Sequence, residues 1–369
     1  MKLERAIKFK NGKRRNYEIG NIPVYGGNGI LGYTNNYNTK KNNIIIGRVG
    51  AYCGCVYKND DECWISDNAI VGNVKEGFDY NFIYYLLKSI NLNSLHIGSS
   101  HPLMTQDILN NIEINIPAYN YQKKAAKILN IIDQKIDLNN KTNDNLYEIT
   151  NKLYEQLFVI DRQDDWKEYN LQELMDISNG YSYTGKELVD TSVVGMATIK
   201  NFERTGGFKE EGFKDIEPIK AKDIHYADKF DILVACTDLT QNADIIGNAI
   251  MLLNIGKYEK VVISMDLVKI LPKKNKHLVF SILNSKEFKK FALGYKIGTT
   301  VLHLNKNCFK DFNIKLPDLD KIENFEKVVE TNYKKISYNL EENHTLTQLR
   351  DTLLPKLMNG EIDLDKIEI

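Results

Sequence analysis

The chain has 369 residues, 43% of them hydrophobic, and its 49 basic and 49 acidic side chains cancel to a formal net charge of zero. That length predicts two or three domains with ordinary cores, and the charge balance does not by itself advertise a polyanion partner. No stretch approaches the ~18 apolar residues of a membrane helix, and the basic start Met1–Arg15 lacks the apolar run of a signal peptide, so a cytoplasmic protein with no membrane partner is expected.

Residues 1–118 read as a mainly β unit. Asn43 to Tyr57 is apolar and Gly-rich, Cys63 to Val74 reads as a strand pair, and Gly and Asn punctuate both. One helix is expected at Phe82–Ile90, where Phe82, Ile83, Leu86, Leu87 and Ile90 fall at helical spacing. After Pro117 the period changes to 3.5, and residues 119–158 predict a helix about 60 Å long at 1.5 Å per residue. Ala125, Leu129, Ile132, Ile136, Asn139, Asn143, Leu146, Thr150, Leu153 and Leu157 alternate steps of four and three. Such a seam must bury against another helix. Val159 to Asp165 is a polar linker. Trp166 opens a second β unit, 166–317, with strands expected at Asp231–Cys236, Ile245–Leu253 and Val261–Leu271, and a hairpin or loop at Asn201–Asp215. A second long helix, 319–358, carries Phe325, Val329, Ile336, Leu340, Leu346, Leu353 and Leu357, and a short tail, 359–369, follows.

The chain repeats itself. Gly98-Ser99-Ser100 through Asn115-Ile116-Pro117 matches Gly298-Thr299-Thr300 through Lys315-Leu316-Pro317, 200 residues later, and the match runs without a gap into the helices. Asn139 and Asn143 meet Asn339 and Asn343; Leu146 meets Leu346 and Leu153 meets Leu353. At the start of each half the offset is 168: Leu3, Ala6, Phe9, Asn11 and Gly12 match Leu171, Leu174, Ile177, Asn179 and Gly180. The second half therefore holds 32 more residues in its middle. A shared frame with divergent middles points to one operation done at two places; simple drift of an old duplication is the alternative. The fold class expected is α+β: two β-rich recognition domains in tandem, each followed by a long helix, the helices pairing as an antiparallel coiled coil. The pairing residues would be Leu129, Ile132, Ile136, Asn139, Asn143, Leu146 and Leu153 against Val329, Ile336, Asn339, Asn343, Leu346 and Leu353. Polar Asn at seam positions costs stability and fixes register.

No catalytic constellation emerges. Asn115-Ile116-Pro117-Ala118-Tyr119 and Asn21-Ile22-Pro23-Val24-Tyr25 superficially resemble a base-holding Asn-Pro-Pro-aromatic motif. Both have Ile where the first Pro belongs, and neither has a Gly-rich methyl-donor loop. There is no P-loop, and the six histidines are scattered. The five cysteines are odd in number, which argues against a disulfide framework, and Cys53-x-Cys55 with Cys63 lacks a fourth ligand at zinc spacing, so no metal is expected. Seven basic residues against one acidic lie between Lys2 and Arg15, while Glu361, Asp363, Asp365 and Glu368 make the tail acidic.

The ordered set of short motifs resembles the specificity subunit of type I restriction-modification systems. It comprises Asn11-Gly12-Lys13, Ile22-Pro23-Val24-Tyr25-Gly26-Gly27-Asn28-Gly29, Ile46-Gly47-Arg48-Val49-Gly50 and Trp64-Ile65-Ser66-Asp67-Asn68-Ala69. The second half adds Trp166-Lys167-x-Tyr169-x-Leu171, Gly298-Thr299-Thr300-Val301 and Leu357-Met358-Asn359-Gly360-Glu361-Ile362. The first half lacks the Trp-containing lead-in, and His101 and Val301 stand where the family often has Gln. The resemblance implies a non-catalytic reader of double-stranded DNA in which each domain reads half of a split, asymmetric target and the paired helices act as a ruler. It also implies as partners two copies of an adenine methyltransferase subunit, then motor-nuclease subunits. The chain itself would bind no cofactor, S-adenosylmethionine and ATP belonging to the partners. DNA contacts would come from loops supplying phosphate grip and base-edge readout. The candidates are Lys13, Arg14, Arg15, Asn28, Arg48, Ser99, Ser100 and His101 in the first domain, and Asn179, Tyr181, Lys200, Thr237, Gln241, Lys296, Thr299, Thr300 and His303 in the second. A two-module coiled-coil scaffold that binds another protein without DNA specificity is the rival reading; a freestanding methyltransferase fits less well for want of a donor loop.

Overall fold

The computed structural model describes all residues except 15–17, 99–100, 205, 239–243, 300 and 367–369. The described chain divides into two compact units, one of residues 1–136 with 345–369 and one of residues 137–344. The division differs from the expected domain boundaries, because it cuts through both long helices. These run Tyr119–Tyr154 and Leu319–Met358. Each unit thus holds a β-rich body, part of one long helix and part of the other.

In the first unit a four-stranded antiparallel sheet has the order Ile7–Asn11, Ala69–Val74, Asn43–Gly47, Val56–Asn59. The central run Ile44-Ile45-Ile46 is fully buried because both its faces are covered. Ile44 and Ile46 pack with Phe9, Ile70 and the helix Tyr80–Ser89, and the same core takes in Ala125 and Leu129 from the first long helix and Leu357 and Met358 from the second. Ile45 and Val71 face the other way, onto Tyr25, Cys63 and Ile65. These three come from the turn side of a smaller sheet, Gly29–Thr34, Ile22–Gly26, Trp64–Ile65, and the segment before it. The helix Tyr80–Ser89 starts where Asp79 accepts from the Phe82 N–H at 2.9 Å, and Gln122 accepts from Asp79 N at 2.9 Å.

The second unit repeats the architecture. Its sheet order is Met175–Asn179, Leu267–Pro272, Ile232–Ala235, Ala249–Met251. Register agrees residue by residue: Phe9 faces Gly72 as Ile177 faces Ile270, and Ile44 faces Gly72 as Ile232 faces Ile270. The parallel pair Val24 and Trp64 recurs as Met196 and Val262. The offset between copies is therefore 168 at the first strand, 172 at the parallel pair's first strand, 188 at the central strand and 198 at its neighbour. The extra residues are thus spread over several connections, the largest share, the step from 172 to 188, falling between Ala197 and Ile232. Asn201–Asp215 is indeed loop-like, with a bridge between Phe202 and Phe208 and a short strand Lys214–Asp215. Sequence reading supplied no counterpart for the helices Lys276–Asn284 and Lys286–Leu293 that cover this sheet.

Within the second unit the two helical segments meet through their asparagines. Asn139 Nδ2 donates to Asn343 Oδ1 at 2.9 Å, and Asn339 Nδ2 to Asn143 Oδ1 at 2.7 Å. Asn332 Nδ2 reaches Thr150 Oγ1 at 3.1 Å. As one sequence number rises the other falls. Asn139, Asn143 and Asn339 are buried, with Ile336 and Val329 in the adjoining core. Within the first unit the other helical segments meet at Asp133, which accepts from Arg350 Nη1 at 3.0 Å and from the Tyr85 hydroxyl at 2.7 Å. Among the described residues no helix is long and apolar enough to cross a membrane.

Candidate nucleic-acid interface

Five backbone segments converge at one end of the first unit's sheets. Lys13 N donates to Ile65 O (2.9 Å), Ser66 N to Tyr25 O (2.8 Å), Arg48 N to Asn68 O (2.9 Å) and Met104 N to Arg48 O (2.8 Å). The second unit repeats every one of these bonds. Tyr181 N donates to Ile263 O (2.6 Å), Ser264 N to Ala197 O (2.9 Å), Cys236 N to Asp266 O (2.8 Å) and Leu304 N to Cys236 O (2.9 Å). Two glycines make the approach possible. A Cβ on Gly12 would sit 2.0 Å from Ser66 O, and one on Gly180 would sit 1.9 Å from Ser264 O. Gly98 and Gly298 both take positive φ, 84° and 99°, which only glycine adopts cheaply.

Because the frames coincide, some candidates fall at equivalent places, Lys13 at Tyr181 and Asn28 at Lys200. Lys13 and Arg14 are exposed beside Ser66, and Asn28 is exposed in the turn before Gly29. Arg48 is half-buried and its Nη1 donates to Asp67 O at 3.3 Å. His101 is exposed in the turn closed by the Ile97–Leu103 bridge. In the second unit Lys200 occupies the place of Asn28, and Asn179, Lys200, Lys296, Thr299 and His303 are exposed. Lys306 donates to Asn179 Oδ1. Arg15, Ser99, Ser100, Gln241 and Thr300 lie outside the described residues.

Two candidates need correction. Tyr181 is 4% exposed and its hydroxyl donates to Glu187, which also accepts from Thr184 N and Ile219 N. Thr237 is 7% exposed, held in the strand Thr237–Asp238 against Leu302 and His303. Both side chains are spent on the interior, so neither is presented to a ligand here. Asp67 and Asn68, which lie in the Trp64–Ala69 motif but not among the candidate contacts, and their counterparts Met265 and Asp266 also stand in each cluster. Lys10, Lys40 and Lys41 are exposed nearby and were not among the candidates; Lys8 and Lys10 alternate with buried Ile7 and Phe9 as outward strand positions should.

Burial pushes the thiols of Cys236 and Cys308 up to about 12, so both stay protonated and inert. Among the described residues no group of His, Cys, Asp and Glu is placed to hold a metal ion.

The geometry defines a class of protein: a duplicated β-rich frame that presents two loop clusters of different chemistry. The profile of the family described as "Type I restriction modification DNA specificity domain" matches residues 3–148 and 163–346. The chain belongs to that family. It is 29% identical over 133 residues to the type I restriction enzyme EcoprrI specificity subunit of Escherichia coli, a match spanning 36% of this chain and 33% of that relative. It is 23% identical over 347 residues to the MjaVIII specificity subunit of Methanocaldococcus jannaschii, spanning 86% and 76%. Among solved structures, the type I restriction-modification S subunit from M. genitalium is similar in fold, with a TM-score of 0.63 and 18% identity over 97% of this chain and 95% of that one.

Proposed function

We propose that this chain reads a split, asymmetric DNA sequence, one half with each loop cluster, and directs methylation or cleavage by partner subunits. The observation that carries this reading is the coincidence of frames with divergence of what they present. Lys13 and His101 are exposed and Arg48 half-buried in the first copy, whereas on backbone that bonds in the same pattern the second copy buries Tyr181 and Cys236 and exposes Val301, with Lys200, Lys296 and His303 as its exposed polar groups. Two readers built alike but equipped differently suit two different half-sites. The chain contributes no bond chemistry of its own; two copies of an adenine methyltransferase subunit, and motor-nuclease subunits where present, supply it with S-adenosylmethionine and ATP.

The long helices pair antiparallel as a coiled coil and set the gap between half-sites. The opposed Asn rows and the Asp133–Arg350 pair support this reading. Removing seven residues from 125–150, with the matching seven from 325–350, keeps the seam in register and shortens each helix by roughly 10 Å. That equals about three base pairs of B-DNA. The unspecified gap in the target then shortens while the specified bases persist.

The test is a methylome of cells expressing the chain with its methyltransferase subunit. One split sequence with unlike halves is expected, and replacing residues 1–118 by another such domain changes one half only. Identical half-sites, or a swap that alters both halves, overturn the reading. So does methyl transfer by the isolated chain.

A further inference from the structure

We propose that the first unit carries a dedicated grip for the DNA phosphate chain, a lysine-lined hollow whose equivalent place in the second unit is closed; the inference rests on the DNA-reading function above. The hollow has a volume of about 530 Å³ and lies beside the loop cluster, which it meets at Lys13. Lys10, Lys13, Lys40 and Lys41 line it together with Tyr37 and Trp64, and no carboxylate does. All four lysines are exposed, and none is paired with a carboxylate among the described residues. Trp64 Nε1 donates to Lys13 O at 3.4 Å, which ties the floor of the hollow to the reading loops.

The second copy shows what this place becomes when it is not a site. The bridge Thr39–Cys63 is equivalent by register to Ala227–Val261. By the same register Lys10, Lys13 and Tyr37 correspond to Ser178, Tyr181 and His225. There the two walls touch: Ser178 Oγ donates to Ile224 O at 3.1 Å, and the Tyr181 and His225 rings lie 5.5 Å apart. Asp228 stands where Lys40 stands, and Lys229, the counterpart of Lys41, is paired with Glu341. One copy has closed and neutralised the groove. The other keeps it open with four like charges, an arrangement that repels itself until a polyanion fills it. The asparagines in the lining are tied into the fold, Asn38 Nδ2 donating to Ile65 O, Asn43 Nδ2 to Lys40 O and Asn73 Nδ2 to Asn43 Oδ1, which leaves the ammonium groups to grip phosphate, a contact that carries no sequence information.

The experiment uses the full chain complexed with its methyltransferase subunit and the target duplex, binding being measured between 50 and 300 mM salt. Lys10→Gln, Lys40→Gln and Lys41→Gln are combined, and Lys41→Gln is measured alone in case the triple variant assembles poorly. Neutralising a phosphate contact reduces the slope of log affinity against log salt by about 0.9. The triple variant should lose roughly two to three from that slope and bind roughly 10- to 1,000-fold more weakly at low salt, with the methylated sequence unchanged. An unchanged slope overturns the grip, as does a changed sequence, which would make the lysines base readers. Failure of the wild-type complex to prefer any sequence would instead overturn the function on which the grip rests.

Discussion

Gly12 and Gly180 hold the reading ends together by leaving no side chain between two strands. Gly12→Ala would drive a Cβ to 2.0 Å from Ser66 O, and we expect a loss of about 1–3 kcal/mol from forced backbone shift, read as a lower melting temperature. Unchanged melting would mean that the strand can move away freely. The repeated Asn-Gly pair was visible in sequence, yet its cause was not, because the partner carbonyl lies 54 residues further on in the first copy and 84 in the second. Tyr181 teaches the converse. Sequence puts it among the candidate DNA contacts, whereas its hydroxyl completes a ring of donors around Glu187. Those donors, led by Tyr181 and then Thr184 N, hold the Glu187 carboxyl down to about 2. A depressed carboxyl stabilises the fold above its ordinary value of 4.5 and loses that contribution as pH falls towards 2. Glu187→Gln should therefore melt below wild type from pH 5 upward, and the two curves should converge towards pH 2. A difference that persists unchanged at pH 2 would assign the effect to packing instead.

At the level of elements, the asparagine pairs between the long helices distinguish a lost partner from a replaced pair. Asn339 is fully buried and gives its Nδ2 to Asn143. Asn143→Ala strands that donor and should cost about 1–3 kcal/mol. Asn143→Leu with Asn339→Leu removes both polar groups and should be near neutral or stabilising, with looser register. Chemical denaturation of the two variants separates these effects, and a harmless single substitution would sink the argument. The helices were legible because a 3.5-residue period over 40 positions has few other solutions. The helices at Lys276–Asn284 and Lys286–Leu293 were not anticipated. Their apolar residues face a sheet rather than a partner helix, and short apolar runs of this kind suit a buried strand equally well. The strand run at Val261–Leu271 was similarly read as one piece. The turn at Ser264 divides it into a parallel member of one sheet and a central member of another.

For the whole molecule, the sequence repeat revealed two frames but not how the chain is parcelled between them. The compact unit of residues 137–344 is one continuous stretch, whereas the other is assembled from residues 1–136 and 345–369. Lys124, near the start of the first long helix, donates to Leu364 O and pairs with Asp365, 241 residues away. Closing so long a loop is slow, and a ribosome delivers the chain from its amino end at ~5–20 residues per second. Residues 137–344 can therefore pack before residues 345–369 emerge, whereas residues 1–136 wait for them. Pulsed proteolysis of nascent chains should protect 137–344 while residues 1–136 remain cleavable, and chains long enough to expose residues 345–369 should protect both together. Protection of residues 1–136 before residue 345 is exposed would refute that order. Under the function proposed above, synthesis passes through a stage with one reading end packed and the other unmade, so the ability to engage a two-part target arrives in a single step once residues 345–369 have emerged.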